Sequence, residues 1–226
     1  MIRSLNSFLI LALLVLLASF QSNYPGKATR YLPLGDSYTI CTGASEKESW
    51  PYLLTEHLNN LKLGCSLLDN PARNGFSTRD LIENELPLVK KLKPDLVTLL
   101  IGVNDWVRQV PKEDFVKNLK DILDELQRSL PDKHRIILIT IPDFGVTPQG
   151  KHYSRGRDIS KGIAEFNAVI LQEAVVRHLP VVDIFELSKK MESDNSLVAA
   201  DGLHPSAKEY AAWENLILPE AVKLLK

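Results

Sequence analysis

From Thr29 onward, short apolar runs alternate with longer stretches in which apolar residues recur every three or four positions. The short runs suit strands buried on both faces, and the 3.6-residue period suits helices laid over them. Tyr31–Leu34 predicts the first strand, and Trp50–Leu61 predicts a helix with Leu53, Leu54, His57, Leu58 and Leu61 on one face. Cys65–Leu68 predicts a second strand. Thr78–Leu92 reads as a helix broken or kinked at Pro87, because proline lacks the N–H that a helical ladder needs. Leu96–Ile101 and Arg135–Ile141 read as buried central strands, and Val181–Ile184 as the last strand. Between them, Phe115–Leu130 is strongly periodic, with Phe115, Leu119, Ile122, Leu123 and Leu126 inward; Ile159–His178 and Ser206–Lys226 complete the helices. This alternation predicts an α/β fold, a three-layer α/β/α sandwich around a central parallel sheet. Asp143–Arg157, rich in glycine and cations, reads as a long loop, and loops of that length in compact domains tend to be functional.

The chain has 226 residues, 45% hydrophobic and 24% charged, enough for one good-sized core and one domain. A formal net charge of −1 offers no basic excess, so no nucleic-acid partner is expected. The N-terminus changes the picture. Arg3 precedes an apolar run from Phe8 to Phe20, followed by the polar stretch Gln21–Arg30, which is the layout of an export signal. The run falls short of the roughly 20 residues that cross a bilayer as a helix. Residues 1–22 are therefore expected to be a signal peptide and 23–226 the mature domain, exported to the periplasm or secreted. Placing Ala18 three residues before the cut sets Phe20 beside it, a poor cleavage pattern, so an uncleaved anchor stays open as the only expected membrane contact. Cys41 and Cys65 are expected to be two buried thiols, since a domain of this size needs no staple.

Candidate chemistry lies just past the predicted strands, at the edge where open parallel sheets bind ligands. Gly35-Asp36-Ser37-Tyr38 follows the first strand, Arg73-Asn74-Gly75 the second, Gly102-Val103-Asn104-Asp105 the third, and Asp201-Gly202-Leu203-His204 lies beyond the last. A serine hydroxyl is a poor nucleophile at neutral pH and needs a base, and the base needs a group that holds its ring. Ser37, His204 and Asp201 can fill those roles in that order. Gly75 has no Cβ to crowd a ligand at its N–H, and Asn104 offers a neutral side-chain donor. Taken singly, each has a plainer reading: Asp36 and Ser37 as helix caps, Gly75 as a turn glycine, Asn104 as a loop residue, Asp201 as a helix start. No cluster of histidine, cysteine and carboxylates has metal-ligand spacing, and His57, His134, His152 and His178 are expected to be structural or solvated.

With Ser37, Gly75, Asn104 and His204 in four separate blocks in this order, and Asp201 three residues before His204, the chain from Thr29 to its end resembles the SGNH (GDSL-type) hydrolases. The resemblance implies a flavodoxin-like fold and an acyl-serine intermediate without metal or cofactor. It also implies an oxyanion hole made by the Ser37 and Gly75 amides and the Asn104 side chain. The expected substrate is a small-molecule, lipid or carbohydrate ester. A lysophospholipase or acyl-thioesterase keeps the same chemistry, and a non-catalytic binding module keeps only the fold. The Asp143–Arg157 loop carries Lys151, Tyr153, Arg155 and Arg157 but no apolar stretch long enough for a deep fatty-acyl groove, which points to short acyl groups. Two positions depart from the family pattern: Tyr38 replaces the leucine of the founding motif, and Cys41 stands where similar sequences carry glycine.

Overall fold

Strands β1 (Thr29–Gly35), β2 (Cys65–Leu67), β3 (Leu96–Leu100), β4 (Ile136–Ile139) and β5 (Val181–Val182) form one parallel sheet in the order β2-β1-β3-β4-β5. This is the flavodoxin-like order, whose switch point lies between β1 and β3. The computed structural model describes residues 28–226, and the signal or anchor expected at residues 1–22 lies outside them. Among the described residues no helix is long and apolar enough to cross a membrane.

Right-handed crossovers in this order send helices to both faces. On one face α1 (Trp50–Asn60) packs against α8 (Ala207–Leu225); on the other lie α2 (Thr78–Asn84), α3 (Leu86–Leu92), α5 (Lys112–Ser129) and α6 (Ile159–Arg177). Every residue of β3 and β4 is buried, as expected for strands covered on both sides. Pro33 is tolerated within β1 because β2 pairs only with Thr29–Tyr31 and leaves the strand unpartnered on that side at Pro33. The buried Tyr31 hydroxyl is satisfied by Thr98 Oγ1 at 2.8 Å across the β1–β3 pair.

The helices follow their local chemistry. Ser77 caps α2 in a reciprocal box with Asp80, and α3 begins afresh with Pro87 in its first turn, so the long predicted helix is two. The five inward residues predicted on α5 are the five that are buried. Leu61 departs from the expected apolar face and is 54% exposed, because α1 has ended at Asn60. The short elements carry no readable period: α4 (Val103–Val107), α7 (Phe185–Ser188) and the 3₁₀ turns Phe144–Val146 and Gly150–Tyr153 that structure the expected loop. Cys41 and Cys65 are buried free thiols.

Candidate active site

Ser37 sits in the turn that leaves β1, 6% exposed, and the geometry of this turn is fixed from beneath. A Cβ on Gly35 would stand 2.2 Å from the Leu100 carbonyl oxygen, so only glycine lets β1 run this close to β3. The Gly35 N–H donates to Glu85 Oε2 at 3.0 Å, and the fully buried Asp36 accepts the Tyr38 N–H at 3.0 Å. Burial pushes the Asp36 carboxyl up to about 8, against the pull of the Tyr38 amide and with help from the charge of Asp105. The chain then runs through consecutive turns rather than a helix, so Asp36 caps a turn and no helix begins at Ser37.

Residues 69–77 come alongside from β2. They are tied to the serine turn by Asn70 Nδ2, which donates to the Thr39 carbonyl at 2.9 Å, and by Thr42 Oγ1, which meets Asn74 Oδ1 at 2.5 Å. Gly75 has φ +82°, and a Cβ there would meet only Arg108 Nη2 at 3.7 Å. Against the protein itself a Cβ here has room, so it is the left-handed backbone that calls for glycine. Among the described residues neither the Ser37 nor the Gly75 N–H has a protein acceptor.

From β3, the single turn of α4 brings Asn104 over this loop. Its Nδ2 donates to the Phe76 carbonyl at 2.9 Å and stands 3.5 Å from Asp36 Oδ2, so one of its two N–H bonds is firmly used and the other only weakly engaged. Asp105 is buried beneath the turn and receives the Thr78 N–H at 2.8 Å and hydroxyl at 2.5 Å, which joins α4 to the start of α2.

The last block lies between a 3₁₀ turn at Asn195–Leu197 and α8. Asp201 Oδ1 accepts the Leu203 and His204 amides, each at 2.9 Å, while Oδ2 lies 2.6 Å from His204 Nδ1. Burial alone pushes the Asp201 carboxyl up, but the His204 ring and the two amides outweigh it and hold the group below the usual carboxylate range. An ionised Asp201 fixes Nδ1 as the donor and leaves Nε2 as the ring's acceptor. The imidazole meets the edge of the Tyr38 ring, centroids 5.9 Å apart, and Tyr38 in turn meets Trp213 in the core.

Ser37, Asn104 and His204 line one small cleft of about 60 Å³ together with Tyr38, Val103, Val107, Phe144, Tyr153 and Leu203. Gly75 and Asp201 are not among its lining residues; Asp201 backs His204, and the Gly75 loop is tied to Asn104 through the Phe76 carbonyl. No hydrogen bond joins Ser37 Oγ to His204 among the described residues; such contacts are often long before substrate binds. The apolar lining was not singled out from sequence, although Val103 and Val107, four apart around Asn104, carry the signal of a helical face. The three loop cations do not reach this cleft. Arg157 turns back on Trp106, its guanidinium 3.7 Å from the ring centroid, and Lys151 lines a separate hollow of about 250 Å³ with Met191 and Glu192. His57, expected to be structural or solvated, has its Nδ1 3.0 Å from the buried Glu214 of α8.

Comparison with known proteins finds relatives in both sequence and fold. A multidomain esterase of Ruminococcus flavefaciens is 31% identical over 122 residues, 54% of this chain but only 15% of that protein. An isoamyl acetate-hydrolyzing esterase 1 homolog of Rattus norvegicus is 28% identical over 193 residues, 78% of this chain and 75% of its own. The crystal structure of a lipase/acylhydrolase from Enterococcus faecalis superposes with a TM-score of 0.68 at 25% identity, over 88% of this chain and 97% of that one. The GDSL-like lipase/acylhydrolase family model matches residues 34–212, the span that holds all four blocks around the cleft, and the chain belongs to that family of ester hydrolases.

Proposed function

We propose that the protein is a serine hydrolase that cleaves short-acyl carboxylic esters through an acyl-Ser37 intermediate. The observation that carries this reading is the single cleft shared by Ser37, Asn104 and His204, with His204 Nδ1 held 2.6 Å from a carboxylate. In the first half-reaction His204 Nε2 takes the Ser37 hydroxyl proton as Oγ attacks the ester carbonyl carbon, and the carbonyl π pair moves onto oxygen. That oxygen is received by the free Ser37 and Gly75 amides and by the loosely held N–H of Asn104. Collapse expels the alkoxide, which leaves with the proton from His204. Water then gives a proton to His204 and its hydroxide bonds the acyl carbon; the acid departs and Oγ recovers its proton. Asp201 holds the imidazole tautomer and supports the imidazolium formed twice in the cycle.

The cleft's size supports a small acyl group, since about 60 Å³ is far below the roughly 300–1,000 Å³ of pockets that enclose drug-sized ligands. Residues 1–22 serve as an export signal or retained anchor in this reading, and the enzyme works outside the cytoplasm. Two measurements test it. Ser37→Ala abolishes labelling by a fluorophosphonate and reduces ester turnover by at least about 10³-fold, as loss of a nucleophile does. Across p-nitrophenyl esters, kcat/KM peaks at acyl chains of roughly two to six carbons, in line with a shallow pocket. Label on another serine removes Ser37 from the mechanism, and a maximum at long chains favours the lysophospholipase or thioesterase alternative.

A further inference from the structure

The Gly75 N–H points where its neighbours set it, because glycine at φ +82° has little intrinsic preference and this amide has no protein acceptor among the described residues. What holds the neighbouring peptides is therefore decisive. On the downstream side the holder is Arg108, which caps the C-terminal end of α4 and donates its own N–H to the Asn104 carbonyl at 2.9 Å. Its Nη2 donates to the Gly75 carbonyl at 2.6 Å. Its Nη1 donates to Asp80 Oδ2 at 2.9 Å and lies 3.5 Å from Ser77 Oγ. Asp80 Oδ2 also receives the Ser77 N–H at 2.8 Å. The peptide between Gly75 and Phe76 is thus held at both polar atoms, its oxygen by Arg108 and its N–H by the Arg73 carbonyl at 3.2 Å. The next carbonyl, of Phe76, is taken by Asn104.

We infer that Arg108 is a positioning residue for the oxyanion hole: its forked guanidinium, spanning the Gly75 carbonyl and Asp80, locks the Gly75 amide into register with the Asn104 side chain. This rests on the proposed acyl-serine reading. Arg108 is four residues beyond Asn104, one helical turn, so a single short helix sets one oxyanion donor directly and the other through Arg108. The fork matters as much as the charge. A lysine at this place can pair with Asp80 or reach the carbonyl, but a point donor does not hold both in one plane.

The test is steady-state kinetics on p-nitrophenyl acetate with Arg108→Ala, Arg108→Lys and Asp80→Asn, read beside Ser37→Ala and Asn104→Ala. Arg108→Ala lowers kcat about 10–100-fold with KM within about twofold, as misplacement of a donor that acts mainly in the transition state does. Arg108→Lys gives a smaller loss in kcat at an unchanged Tm, and Asp80→Asn a smaller one still. Guanidinium at sub-denaturing concentration restores part of the kcat of Arg108→Ala and none of Ser37→Ala. If Arg108→Ala does not fold, the Lys and Asp80 variants carry the test. Wild-type kcat in the folded Arg108 variants, or a loss confined to KM, overturns the inference. If Ser37→Ala and Asn104→Ala remain active, the hydrolase reading itself has failed, a different outcome from intact losses there with unaffected Arg108 variants.

Discussion

Cys41 has φ +61°, a left-handed conformation that costs a residue with a Cβ about 1–2 kcal/mol. Glycine would adopt this conformation without that cost, and the turn after Ser37 keeps it with cysteine in place. The thiol repays part of the cost by burial, 1% exposed, against the Tyr38 and Thr39 carbonyls. Truncation to Ala or to Gly removes the buried Sγ in both cases; Gly also loses the Cβ, but only Gly relieves the left-handed backbone, which is the larger effect. Cys41→Gly is therefore more stable than Cys41→Ala by about 1 kcal/mol, a difference of roughly 2–4 °C in Tm for a chain of this size. Thermal melts of the two variants side by side check it, and an Ala variant as stable as the Gly variant removes the strain. That Ser37, Asn104 and His204 share one cleft, with Asp201 on His204, could be anticipated because each block begins where an apolar run ends. Tyr38 was legible only as a departure: that its ring bridges His204 and Trp213 depends on α8, whose sequence lies far along the chain.

Among the elements, the segment Asp143–Arg157 shows best how far periodicity reaches. Its length marked it as functional, and it does reach the edge of the sheet where Ser37 lies. Its contribution there is aromatic: Phe144 and Tyr153, one from each 3₁₀ turn, meet edge to face with centroids 6.3 Å apart and close one side of the cleft. Phe144 is buried and held by the core, whereas Tyr153 is 39% exposed and forms the rim. Tyr153→Ala is expected to lengthen the preferred acyl chain by about two carbons while lowering kcat/KM for the acetyl ester only a few-fold, because the change removes a wall and leaves the reacting groups in place. The p-nitrophenyl ester series reads this directly; an unchanged chain-length profile means that Tyr153 does not bound the acyl site. Strands and long helices were legible because each runs long enough to show a period. Elements of three to five residues were not, and α4 is the costly omission, since its one turn aligns Val103, Asn104, Val107 and Arg108.

At the scale of the whole molecule, the site rests on buried acid. Glu85, from the junction of α2 and α3, has one carboxylate oxygen on the Gly35 amide and the other buried without a partner, while Asp36 and Asp105 are fully buried nearby. Burial pushes Glu85 up to about 9, offset in part by the Gly35 amide, with the charge of Asp36 adding to the rise. At neutral pH Glu85 is accordingly a neutral acid in the folded state and a carboxylate in the unfolded chain. The sign follows from proton counting: between its unfolded value of 4.5 and about 9 the native state holds a proton that the unfolded state releases, so stability falls as pH rises through that window. Asp36, raised to about 8, adds a dependence of the same sign from 3.8 upward. Glu85→Gln keeps an acceptor for Gly35 and removes one titration. Its Tm relative to the parent protein should therefore rise steadily from pH 5 to 8.5, by an amount corresponding to on the order of 1–3 kcal/mol. The widening gap is the signal, because any fixed cost of the amide is the same at both ends. Parallel Tm curves across that range would show that Glu85 is ionised in the folded protein, and the buried acids beneath Ser37 would then have to be stabilised as charges rather than as protonated groups.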